Sequence, residues 1–388
     1  MLIVVNLLVD TYIYIVLRKR CKTRVPALVQ LVSAIALCAY LVVTVALPRN
    51  SGSDSTLVAV MWMLFGYLTV YASKLVFVIY DAFSFLPLLF RKKRSRAASW
   101  IAGFLAVAVF LGMWWGALVN RYRIQVREVD VEIEGLPSAF DGYRIVQFSD
   151  LHTGTYRSDT SFVAKTVSRI NSLEPDLIVF TGDIVNRRTD ELLPFVSTLS
   201  RLDAPDGVYS ILGNHDYGDY STWPTAAAKE ENMRLMYDLQ QRMGWKMLNN
   251  DHDFLRRDND SIALIGVENV GDPPFKCYGS LGKAYPAADN DVTKILLSHN
   301  PAHWLDSIAP DKDISIDLTL SGHTHAMQIE VLGLSPAVFR YPAWGGLYGD
   351  AGKRLYVNIG MGTVGIPMRF GATPEITVIT LHSSHKTK

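Results

Sequence analysis

Five of the nine histidines in this 388-residue chain stand at the ends of short apolar runs, with carboxylates or an amide beside them. "YRIVQFSDLHTG" ends in Asp150 and His152, "DLIVFTGDIVN" in Asp183, and "GVYSILGNHDYG" in Asn214, His215 and Asp216. "KILLSHNP" delivers His299, and "LTLSGHTHAMQ" delivers His323 and His325. Taken singly, a histidine after a strand is an ordinary satisfied polar residue, and an aspartate there is a common helix cap. Taken together they form one chemical set. Carboxylate, imidazole and amide oxygen suit borderline divalent metals such as Mn, Fe or Zn, and the lack of cysteine argues against a thiolate site. The set is too large for one ion and suits two, with one carboxylate shared. Two ions about 3.5–4 Å apart can activate a water and clamp the oxygens of an in-line phosphoryl displacement. The remaining histidines, His252, His303, His382 and His385, read as surface or capping residues.

The elements that must position these groups are legible around them. Each run is rich in β-formers and bounded by glycine or turn residues, which predicts five buried strands. Helical patterns fall between some of them, over Ser161–Ser172 and over Thr225–Met243 with Pro224 near its start. Strands alternating with helices predict an α/β layered domain, and open α/β sheets place their sites at the carboxyl ends of strands. In an extended segment His323 and His325, two residues apart, face the same side.

The front of the chain is different. Before residue 121 there are 12 Lys and Arg against 3 Asp and Glu, and the remainder carries 26 against 34, a formal net of −8. An acidic back half disfavours nucleic acid as a partner. Mean hydropathy is +0.15, high for a soluble enzyme. Trp100–Val119 is an unbroken run of 20 apolar or small residues, long enough to cross a bilayer. Ala27–Leu47 and Leu57–Tyr80 make two further spans. Leu2–Leu17, with Asn6 and Asp10, makes a fourth; it lacks the features of a cleaved signal peptide. "RKRCKTR" after the first span and "RKKRSR" after the third are the basic loops, which stay cytoplasmic. That rule puts the large domain outside, with Arg121, Arg123 and Arg127 as a minor opposing signal. Asp10 is a functional candidate by its depth, whereas Lys74 and Asp81, near a span end, read as snorkelling or paired residues. Of the three cysteines only Cys277 lies in the polar half, which therefore has no internal disulfide.

D-x-H at Asp150–His152, G-D at Gly182–Asp183, G-N-H-D at Gly213–Asp216, His299 after a strand and G-H-T-H at Gly322–His325 resemble the calcineurin-like metallophosphoesterases, in that family's order. The resemblance covers Gly142–Leu381 and none of the membrane portion. It implies that Asp150, His152 and His325 hold one metal, that Asn214, His299 and His323 hold a second, and that Asp183 bridges both. It further implies that His215 protonates the leaving oxygen or stabilises the phosphoryl charge, that Asp216 orients His215, and that the nucleophile is a metal-bridging hydroxide. By this mapping His323 and His325 serve different ions, so "SGHTH" is a loop leaving a strand. The implied fold is a sandwich of two mixed sheets flanked by helices, an αββα arrangement. With the anchor, the expected organisation is α/β: a four-helix transmembrane bundle over 1–120, a linker and edge strand over 121–141, and a catalytic domain over 142–388.

One departure is that relatives carry an arginine close to the bridging aspartate, whereas here Arg187 and Arg188 follow four and five residues on, where surface solvation is the favoured reading. The anchored form resembles the bacterial branch, some members of which cleave phosphodiester or pyrophosphate bonds of lipid-linked or envelope precursors such as UDP-diacylglucosamine. That substrate lies on the cytoplasmic face, so only the reaction type carries over. The expected protein is an inner-membrane phosphodiesterase or pyrophosphatase with its domain outside the cytoplasm. It would take two divalent ions (Mn, Fe or Zn), a phosphate-ester substrate and a lipid bilayer as partners, and no nucleic acid. Arg187, Tyr217 and Trp344 are candidate substrate contacts; Tyr220 and Trp223 also fall near the site in sequence. The Gly- and aromatic-rich loops Arg340–Asp350 and Ile359–Glu375 are candidates for a lid or for lipid contact. The alternatives are a catalytically silent scaffold with this fold, a membrane sensor and a nuclease.

Overall fold

The computed structural model describes residues 2–48, 53–286, 292–350 and 352–384. His385, expected to be an ordinary tail residue, lies outside them. The chain divides into two compact units: Met1–Val119 with Gly365–Phe370, and Asn120–Val364 with Gly371–Lys388.

The first unit is helical. It contains α1 (Leu2–Arg20), α2 (Val25–Ala46), α3 (Asp54–Ala82) and α4 (Arg96–Leu118). Ser53 and Ser95 start α3 and α4 by accepting from the backbone N–H of Thr56 and Ala98. Three helical stretches among the described residues, Val25–Ala46, Asp54–Phe90 and Arg96–Tyr122, are long and apolar enough to cross a membrane. α1 is more polar, and its buried Asp10 is fully engaged. Asp10 accepts from Lys74 Nζ at 2.8 Å, Gln30 Nε2 at 2.7 Å and Tyr71 Oη at 2.7 Å. Lys74 therefore does not snorkel; it turns inward to offset the buried carboxylate, as intramembrane charges do. Asp81 pairs with Arg94, and Tyr12 Oη donates to it at 2.8 Å.

The second unit is built on two six-stranded mixed sheets. Its strands are β1 (Gln125–Glu134), β2 (Arg144–Phe148), β3 (Leu177–Phe180), β4 (Val208–Ser210), β5 (Lys246–Met247), β6 (Asp251–Arg257), β7 (Asp260–Gly266), β8 (Lys294–Leu297), β9 (Leu318–Ser321), β10 (Gly346–Asp350), β11 (Lys353–Val357) and β12 (Glu375–Ser384). The orders are β1-β12-β2-β3-β4-β5 and β10-β11-β9-β8-β7-β6. All five runs that carry site residues form strands, and they lie inside the sheets: β2, β3 and β4 are parallel neighbours, as are β8 and β9. Their uninterrupted burial explains why they read as continuous apolar runs rather than alternating ones. The sheets share a core in which Ile145, Leu177 and Val179 meet Leu264, Leu297 and Leu318. The outer face of the first sheet packs on α5 (Ser161–Asn171), α6 (Val196–Leu199) and α7 (Ala226–Arg242) through Val163, Val167, Leu199 and Leu239. The outer face of the second packs on Trp304 and Ile308. The layers are thus helix, sheet, sheet, helix.

Candidate metal centre

Each parallel strand stops where its last residue leaves the sheet, and the next residues turn sharply. Five residues of the expected ligand set have a positive φ: Asp150 (53°), His152 (50°), Asp183 (61°), His323 (73°) and His325 (51°). Left-handed backbone at non-glycine residues costs energy and concentrates at functional sites. It also explains why "SGHTH" is a loop and not a strand extension: β9 ends at Ser321. Gly213 and Gly322 stand where a Cβ would collide with the Asp183 and Asp150 carboxylates, so both close approaches require glycine.

These turns bring two groups of side chains together, Asp150 with His152 and His325, and Asp183 with His299 and His323. His325 Nε2 lies 3.2 Å from Asp150 Oδ1 and 3.0 Å from His152 Nε2. His299 Nε2 lies 3.2 Å from Asp183 Oδ2 and 3.3 Å from His323 Nδ1. Asp183 Oδ2 is also 3.8 Å from His152 Nε2, which places this carboxylate between the two groups. The outward nitrogens are held by the protein. His152 Nδ1 meets the Val185 carbonyl at 3.1 Å, His299 Nδ1 the Thr181 carbonyl at 2.7 Å, and His323 Nε2 the Tyr341 hydroxyl at 2.9 Å. Such outer contacts fix the ring and leave the other nitrogen for a metal. Asn214 donates to Tyr220 Oη at 2.9 Å, while its buried Oδ1 has no hydrogen-bond partner. An orphaned buried amide oxygen is donor chemistry that a divalent ion takes up. The residues present fit two such ions.

The electrostatics follow from this proximity. Burial would favour the neutral form of Asp150 and Asp183, but the facing imidazoles hold both carboxyls well below the usual range. Burial would lower His299, yet Asp183 and Asp150 raise it to about 9. Burial and neighbouring His299 lower His323 to about 3, keeping it a neutral ligand.

His215 is half-buried at the rim. Its ring stacks on Tyr220 with centroids 4.2 Å apart and meets His152 edge-on at 4.8 Å. Its Nδ1 lies 2.6 Å from the Asn186 carbonyl, so Nδ1–H donates there and Nε2 is the nitrogen not used in this bond. Asp216 does not orient His215 directly. Its carboxylate accepts from the backbone N–H groups of Gly213, Asp183, Ile184 and Val185, at 2.8 to 3.2 Å. Burial and the Asp183 charge push its pKa up to about 7, against those donors. Asp216 thereby ties down the turn that runs from Asp183 towards the Asn186 carbonyl, on which His215 Nδ1 rests.

The candidate substrate contacts separate. Arg187 is not a solvated surface residue; it is buried and pairs with Glu191. Tyr217 belongs to the core, stacked on Tyr278 at 4.0 Å with its hydroxyl accepting from Asn269 N–H. Trp344 packs on Ala326 and Ile359, and its carbonyl accepts from Thr324. Trp223 donates to the Gly218 carbonyl. Tyr220 is the aromatic of that segment which reaches His215. Two site residues were missed. Tyr341 lies in the loop already singled out for its aromatics, whereas Phe275, edge-on to His323 at 4.8 Å, had no signal beyond its place among turn residues. His303 is buried rather than superficial and bonds Ser298 Oγ at 2.9 Å.

Residues 143–327 match the calcineurin-like phosphoesterase family, and residues 1–121 match the transmembrane domain described as that of a probable calcineurin-like phosphoesterase. The chain is similar to the uncharacterized metallophosphoesterase YkuE of Bacillus subtilis, 31% identical over 71% of this chain and 91% of the relative. It is similar to a zebrafish (Danio rerio) transmembrane protein with metallophosphoesterase domain, 32% identical over 66% of this chain and 57% of that protein. A third relative is the UDP-2,3-diacylglucosamine pyrophosphatase LpxG of Chlamydia muridarum, 30% identical over 63% of this chain and 86% of that protein.

Proposed function

Because the chain belongs to the calcineurin-like phosphoesterase family and carries an integral membrane domain, we propose that it is a dinuclear metal-dependent phosphohydrolase acting on a phosphodiester or pyrophosphate bond of a lipid-linked or envelope substrate. The observation that carries the reading is Asp183, whose carboxylate lies 3.2 Å from His299 in its own group and 3.8 Å from His152 in the other, and so links the two. Asp150, His152 and His325 would hold one ion and Asn214, His299 and His323 the other. Bound divalent ions supply Lewis acidity to phosphoryl oxygens and lower the pKa of an attacking water. The chain's own residues do the rest. His215, fixed through Nδ1 on the Asn186 carbonyl, presents Nε2 to the leaving oxygen and delivers a proton there. Tyr220 stacks behind His215 and limits its rotation. The His323 side of the site carries Tyr341 and Phe275, a wall suited to the less polar part of a substrate.

The test is hydrolysis of bis-p-nitrophenyl phosphate and p-nitrophenyl phosphate by the purified full chain, stripped of metal and resupplied with Mn²⁺. The reading requires metal-dependent turnover that Asp183→Ala abolishes and His215→Ala lowers by at least about 100-fold, and the diester-to-monoester ratio reports the preference. Absence of bound metal in the purified chain would refute it and favour the silent scaffold.

A further inference from the structure

The second unit exposes few large apolar side chains, and they are not scattered. Of ten such residues among its described residues, six fall between Met327 and Phe339, in the segment that leaves the last histidine of the site. Leu332 is 98% exposed, Phe339 92% and Leu334 74%, with Met327, Val331 and Val338 about half exposed. A contiguous patch of this kind marks an interaction surface.

The segment is built rather than loose. Val331 and Leu334 exchange both backbone hydrogen bonds, at 2.9 and 3.0 Å, closing a two-residue turn. Its central residues have φ of 54° at Leu332 and 76° at Gly333, the left-handed pair that hairpin turns normally give to Asn-Gly or Gly-Gly. A leucine there is costly to the fold and gains no packing. Ser335 then ties the turn down. Its Oγ donates to the Ala326 carbonyl at 2.6 Å and accepts from Ala337 N–H at 3.1 Å, starting a short helical turn at Pro336–Phe339. Ala337 is fully buried, so the turn has an inner side that is packed and an outer side of Leu332, Leu334, Val338 and Phe339.

No charged residue occurs from Val331 to Phe339; Glu330 and Arg340 flank the stretch. The Val331–Leu334 pair and the helical turn satisfy part of its backbone internally, which lowers the cost of entering an apolar phase. The chain itself carries membrane spans, so a bilayer is the apolar phase it always meets. We propose that Val331–Phe339 is a membrane-inserting loop, with Leu332 and Phe339 seated in the acyl region and Glu330 and Arg340 at the headgroup level. The loop connects His325 to Tyr341, which holds His323, so it fixes one wall of the metal centre at the lipid surface. The inference concerns a surface and stands apart from the phosphohydrolase reading.

The test uses the full chain with Cys21, Cys38 and Cys277 replaced by serine. A single nitroxide is placed through Leu332→Cys or Phe339→Cys, or at the exposed β6–β7 turn through Asn259→Cys, and the protein is reconstituted in phosphatidylcholine–phosphatidylglycerol nanodiscs. Collision with oxygen is expected to exceed collision with a nickel chelate several-fold at 332 and 339, and to fall below it at 259. Water-like accessibility at 332 and 339 would overturn the proposal. So would exclusion of both relaxants, which would show a protein surface covering the loop, with dipolar broadening identifying a second copy. None of these readouts depends on turnover.

Discussion

At the scale of single residues, the site separates groups that would react from groups that position them. His215 has one ring nitrogen committed to the Asn186 carbonyl and is not part of either metal-ligand group. His215→Ala is therefore expected to lower kcat by about 10²–10⁴-fold, the range for a general acid, while leaving bound metal unchanged by elemental analysis. The Tyr341 ring meets His323 edge-on, and its hydroxyl meets the ring nitrogen that faces away from His299. Tyr341→Phe keeps the shape and removes that contact. Metal affinity is expected to weaken about 10–100-fold, measured by competition with a chelator, with activity restored at saturating metal. Asp219 anchors the segment that bears His215 and Tyr220. It is part-buried, and it accepts from Lys229 Nζ at 2.5 Å, Lys276 Nζ at 2.8 Å and Tyr278 Oη at 2.6 Å. Burial would raise its pKa, but the two lysines and the tyrosine together lower it. A carboxyl whose folded pKa is depressed contributes stability above the unfolded value of about 4, and that contribution is lost as pH falls through the folded value. Asp219→Asn should thus lower the melting temperature of the solubilised chain at pH 6, and the difference from wild type should close as the pH falls through the depressed folded value.

At the scale of elements, the strands set where the ligands point, and the edge of the first sheet sets how firmly the strands are held. β1 runs parallel to β12 in continuous register from Gln125–Glu375 to Glu134–Ser384. It is an edge strand whose inward residues Val131 and Ile133 enter the core between the sheets, and whose outward residues are charged. Ile133→Ala should destabilise the chain by about 2–4 kcal/mol through lost burial and a cavity. Since β2 and β3, not β1, carry Asp150 and Asp183, activity per folded molecule should be unchanged; a thermal melt alongside a specific-activity measurement checks both. This separation also explains what was legible in the sequence. Asp150, Asp183 and His299 stood out because each ends a short buried run, and a strand that stops at a polar residue is a local pattern. The strand character of β1 was local in the same way, an alternation over ten residues. Phe275 and the outer contact of Tyr341 were not legible, because they depend on which loops meet above the sheets. The contacts of Asp216 were not legible for a related reason: its neighbour in sequence is His215, but its carboxylate turns back to the backbone of the Asp183 loop. Arg187 looked like a surface residue until Glu191, one helical turn on, drew it inside. The exposed loop at 331–339 carries no local mark of its exposure, since exposure is not a property of sequence.

At the scale of the whole molecule, the remaining variable is the side of the membrane on which the phosphoesterase domain lies. The basic clusters Arg18–Arg24 and Arg91–Arg96 are separated by two spans, α2 and α3, so a single orientation puts both in the cytoplasm. On that orientation α4 would carry the chain across to the far side, whatever α1 does. The opposing arginines weigh little as loop charges. Arg127 lies within β1 and pairs with Glu375 at 2.8 Å, and Arg121 is buried against the ring of Tyr122. The chain supplies its own reporters. Cys277 is an exposed free thiol in the second unit, and Cys21 sits inside the first basic cluster. A membrane-impermeant maleimide should label Cys277 in right-side-out vesicles and leave Cys21 unlabelled. In inside-out vesicles the pattern should reverse, and Cys277→Ser should remove the first signal. Cys38 lies within α2, where an aqueous reagent does not reach. Labelling of Cys277 from the cytoplasmic side would move the domain inward, and the search for substrate would then turn to phosphate esters of the inner leaflet.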